Sequence, residues 1–173
     1  MLSDADVERY ARQVIVPEIG ARGQARLLAA RVVVRGDGPL VARTADLLQR
    51  AGVTPTDDPH GADAAVLLGA YDPAVGTMPV VVATLTGRAA TLMVLPQGGC
   101  TACVPRPAAP DAPGTDALAI CAAHALAALA ATETLLTLLD ASRPARRYVL
   151  DTGTGTFQAE PLPATCRHGS RPR

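Results

Sequence analysis

The sequence predicts an α/β protein: a Rossmann-like, mainly parallel sheet with flanking helices and a C-terminal β-hairpin. Three observations carry that prediction. Arg31-Val32-Val33-Val34 runs straight into Gly36-Asp37-Gly38-Pro39 and then into an amphipathic stretch with Leu40, Val41, Leu47 and Leu48. That is the strand, glycine turn and helix which open a βαβ unit. Residues 64–68 and 80–85 are continuous apolar runs, as strands buried on both faces require. Residues 148–150 and 156–159 flank Gly153-Thr154-Gly155, the pattern of a terminal hairpin.

The remaining elements follow in chain order. Residues 1–30 form a helical arm, broken between its two parts by Pro17 and Gly20. The helix over 40–50 stops at Ala51-Gly52, and residues 54–61, with two prolines, read as a polar loop. Thr86-Gly87-Arg88 turns the chain into a strand over 90–95. Residues 104–116 hold Pro105, Pro107, Pro110 and Pro113, which excludes regular structure and predicts an exposed crossover loop. A long Ala/Leu helix over 117–139 follows. There is no internal repeat, and the whole of residues 1–173 reads as one domain.

Composition narrows the function. The chain has one Phe, no Trp and no lysine, so its core is built from Val, Leu and Ala. Sixteen basic and sixteen acidic residues cancel, which leaves no global field to recruit nucleic acid or an anionic membrane. The polar, acidic start Met1-Leu2-Ser3-Asp4 lacks the pattern of a signal peptide, and a cytoplasmic location is expected. Helix 117–139 is long enough to span a bilayer, but His124, Thr132, Glu133, Thr134 and Thr137 argue for a buried helix. In that compartment the four cysteines read as metal ligands or core residues rather than disulfides.

Arg9-Tyr10-Ala11-Arg12-Gln13-Val14-Ile15, Pro17-Glu18-Ile19-Gly20 and Gly23-Gln24 resemble the N-terminal signature of the ThiF/MoeB/HesA adenylyltransferases, relatives of ubiquitin-activating enzymes. Residues 27–36 resemble that family's lead into its first strand, and 47–53 the end of its first helix. Residues 95–103 and 157–166 are similar to its late strands with their zinc-ligand pairs, so the resemblance runs in order along nearly the whole chain. It implies a nucleotide loop at Gly36 and Gly38, an arginine (Arg12) reaching the nucleotide of a partner subunit, and a homodimer. It also implies a structural zinc held by Cys100, Cys103 and Cys166, with His168 standing in for the missing fourth cysteine.

The departures bear on catalysis. The family's loop is glycine-rich throughout, whereas here Pro39 deletes a backbone N–H and Val41 replaces a glycine. Asp37 adds negative charge where a triphosphate would sit. The interval 54–79 is short and contains neither arginine nor lysine. In the family it carries the ribose-binding acid, the cations that hold phosphate and an aspartate for magnesium.

Each candidate has a plainer reading beside it. Gly36 and Gly38 cradle a phosphate or simply make the tight turn, and Pro39 and Val41 favour the turn. Arg12 suits phosphate because a guanidinium is always charged and forks onto oxygens, but a surface or inter-subunit salt bridge fits a chain without triphosphate. Cys100, Cys103, Cys166 and His168 form a Cys₃His zinc site or a metal-free tail. Cys121 reads as a core thiol, and His124 as a lone helix side chain. Asp57, Asp58, His60 and Asp72 fall in the shortened interval at no spacing that specifies a reaction.

These observations lead to a pseudoenzyme, with ATP and magnesium binding in doubt. It would partner a ubiquitin-like or sulfur-carrier protein, a peptide or an intact homologue. The alternatives are an active adenylyltransferase drawing cations from Arg12, Arg35 or Arg43, and a binder of some other nucleotide or small ligand.

Overall fold

The computed structural model describes residues 2–36, 38–69, 75, 78–96 and 116–162. Three helices open the chain: α1 (Asp4–Arg9), α2 (Ala11–Val14) and α3 (Gly20–Ala29). Ser3 starts α1 through a reciprocal capping box with Asp6. Then come β1 (Arg31–Gly36), α4 (Pro39–Arg50), β2 (Thr54–Thr56), β3 (Ala64–Leu68), β4 (Val80–Thr86), β5 (Ala89–Leu95), α5 (Ala117–Leu139), β6 (Arg146–Asp151) and β7 (Thr156–Pro161).

The seven strands form one sheet in the order β2-β1-β3-β4-β5-β6-β7. It is mixed: β2, β1, β3 and β4 are mutually parallel, while β5, β6 and β7 add antiparallel pairs. The parallel half is the Rossmann-like part, and the hairpin at Gly153-Thr154-Gly155 joins β6 to β7 as the sequence predicts. Strand β2 is a correction, because its residues read as loop. Pro55 pairs with Val32 at the sheet's edge, one of the places where a proline fits a strand.

Period-2 alternation gives the parallel strands two apolar faces. Val32, Val66, Leu68 and Val81 point to one, where Leu27 of α3, Leu48 of α4 and Leu126 of α5 cover them. Val33, Ala65, Leu67 and Val82 point to the other and meet Val75, Met78, Leu95 and Leu162. Among the described residues, this second face is packed by connecting segments rather than by a helix. Each large side chain so buried contributes about 1.5–3 kcal/mol relative to exposure.

Helix α5 starts at Asp116, whose carboxylate accepts from the Leu118 and Ala119 N–H groups. By length and composition it could cross a membrane. Here it lies against α4, β3, β4 and β5, with Ala122, Leu126, Ala127 and Ala130 buried, as a core helix does. The sequence placed Cys121 in the core; the structure puts it on the exposed side of α5. Alanine and leucine surround this helix on every side, so no periodicity marks which face is inward.

Candidate functional site

Strand order reverses between β1 and β3, and in open α/β sheets that switch point opens a crevice at the carboxyl ends of the strands. Gly36 ends β1 there, opposite Leu68. Its φ is +143°, and a Cβ at this position would collide with the Leu68 carbonyl oxygen. Gly38, at φ +77°, caps α4 without any side-chain hydrogen bond. The glycines therefore make a close strand-to-helix turn, and the N-terminus of α4 faces the crevice.

That helix end is poor in free donors. Pro39, its first residue, has no N–H, and the Val41 N–H turns back to the Gly38 carbonyl at 3.3 Å. An anion-binding helix terminus depends on such N–H groups pointing outward.

Beside the loop, β2 ends at Thr56, so Asp57 and Asp58 emerge at the same edge. Arg35 of β1 donates from its guanidinium to the Asp57 carbonyl at 2.8 Å. Asp58 is a turn residue: its N–H donates to Thr56 Oγ1, and its carboxylate accepts from the His60 N–H at 2.9 Å. Asp57 is exposed and stands about twenty residues past the glycines, where a Rossmann frame places the acid that meets ribose hydroxyls. The sequence names Asp57 among the acids of this interval but gives it no role, because β2 is not legible as a strand.

A second polar group overhangs the same edge. Gly36 is level with Leu68, and Leu68 with Ala83, so the β4–β5 turn extends beyond the glycine loop. Arg88 at this turn pairs with Asp116 at 3.2 Å, and Thr152 donates to the carbonyls of Arg88 and Leu118. The Ala119 N–H, followed by Arg88, holds the Asp116 carboxyl below its ordinary value.

The other predicted residues are dispersed. Arg12 is exposed on α2, and among the described residues it has no hydrogen bond or ion pair to Gly36 or Gly38. His124 is exposed on α5. Asp37, Asp72, Cys100, Cys103, Cys166 and His168 lie outside the described residues. Their flanks are informative, since Leu95 and Leu162 pack on one apolar cluster. Cys100 follows five residues after Leu95 and Cys166 four after Leu162. Three thiolates and an imidazole form an ordinary zinc donor set.

No family model matches the chain. Local matches are clear: 52 residues are 48% identical to adenylyltransferase and sulfurtransferase MOCS3 of Bos taurus, covering 30% of this chain and 11% of that protein. The same length is 50% identical to probable adenylyltransferase/sulfurtransferase MoeZ of Mycobacterium tuberculosis, covering 30% and 13%. Each match thus spans little more than a tenth of the relative. Among solved structures, E. coli MccB with AMPCPP and MccA superposes with a TM-score of 0.66 at 15% identity, over 88% of this chain and 71% of that one. The fold is the α/β Rossmann-like fold of MccB. The resemblance to the ThiF/MoeB/HesA group thus holds as local similarity, over 52 residues, to proteins named as adenylyltransferases.

Proposed function

We propose that this chain is a non-catalytic relative of those adenylyltransferases, binding a ubiquitin-like or sulfur-carrier protein, a peptide or an intact homologue. One observation carries the reading: residues 54–79, from β2 to the start of β4, contain neither lysine nor arginine. Transfer at an α-phosphate needs positive charge to offset what develops in the transition state. The nearby guanidiniums of Arg35 and Arg88 are engaged by the Asp57 carbonyl and Asp116. A homodimer and a structural zinc belong to the same reading.

The test is ATP–pyrophosphate exchange, run on the full chain with a ubiquitin-like protein ending in Gly-Gly. No exchange, together with direct binding of that protein, supports the proposal. Robust exchange overturns it.

Asp57 favours a second reading, nucleotide binding without transfer. A thermal shift with ATP that Asp57→Ala abolishes would support it; no shift would remove it.

A further inference from the structure

We draw no further inference here: the strongest candidate, the exposed face of α5 that carries Leu118, Ile120, Cys121 and His124, is an unpartnered apolar surface among the described residues, and nothing in the structure shows what covers it.

Discussion

Tyr148 of β6 donates its phenolic hydrogen to Glu133 Oε1 of α5 at 2.8 Å, fastening the C-terminal hairpin to the long helix. Glu133 is the one charged side chain buried among the described residues. Arg143 and Arg146 stand 3.8 and 3.9 Å from its two oxygens, and Phe157 of β7 stacks on the Tyr148 ring at 5.9 Å. A buried carboxylate is tolerated only when partnered, and these groups are its partners.

Removing either end of that bond should destabilise the fold by different amounts. Tyr148→Phe leaves the shape and deletes one charge-assisted hydrogen bond, for an expected loss of about 2 kcal/mol. Glu133→Ala removes the charge that Arg143 and Arg146 face, for an expected loss of about 3–5 kcal/mol. The double variant should lose less than the sum, since both changes remove one interaction. Urea unfolding of the four proteins measures this, and strict additivity would show that the bond is not a coupling.

The same residue sets a response to alkali. Burial, with Glu133 adding to it and Arg146 opposing, pushes the Tyr148 phenol above its ordinary value. The fold thus favours the neutral phenol. That stability is complete below the unfolded value of about 10 and is lost as pH rises through the higher folded one. Unfolding free energy should therefore fall above about pH 10 in the parent, and fall less in Tyr148→Phe. Parallel slopes in the two proteins would assign the alkaline loss to other groups.

Much of this frame was legible in residues 31–50, because a β-branched run, two glycines and an amphipathic helix state the βαβ opening locally. What was not legible depends on long-range contacts. Thr54-Pro55-Thr56 becomes a strand only by pairing with β1, and that strand places Asp57 at the edge of the crevice. Glu133 reads as a polar interruption of an Ala/Leu helix until β6 brings Tyr148 and Arg146 to it. Arg88 looked like a turn residue; only the sheet register sets it above the glycine loop.

The two glycines of the loop should respond differently to alanine. At Gly36 the added Cβ meets the Leu68 backbone, so strain adds to an unfavourable φ. Gly38 has open space around it and bears only the backbone cost, about 1–3 kcal/mol. Gly36→Ala should then lower the melting temperature further than Gly38→Ala. The reverse order would remove Gly36 from its role as the point of closest strand approach.

Restoring glycine at Pro39 and Val41 should not restore nucleotide binding. Pro39→Gly returns one N–H to the first turn of α4, and Val41→Gly opens room beside it. Neither supplies a cation to residues 54–79. Calorimetry with ATP should show no micromolar binding to the double variant. Micromolar affinity would mean that the loop alone, rather than the missing cations, decides nucleotide binding.

The zinc site gives the last prediction. Leu95 and Leu162 share one apolar cluster, and Cys100 and Cys166 follow each within five residues. Zinc held by Cys100, Cys103, Cys166 and His168 would join the segment after β5 to the segment after β7. Its binding free energy would enter the folding free energy, because the unfolded chain does not hold the four donors together. A chelator should then lower the melting temperature, and Cys166→Ser should copy that loss. Cys121→Ser should not, since that thiol is exposed on α5 and is not one of the four proposed donors. The tight point is the single residue between Cys166 and His168, which demands a sharp bend if both are to reach one ion; Gly169 follows them and permits it. Elemental analysis of protein purified without a histidine tag decides the matter. One zinc per chain is expected, and well-folded protein with far less would remove the site.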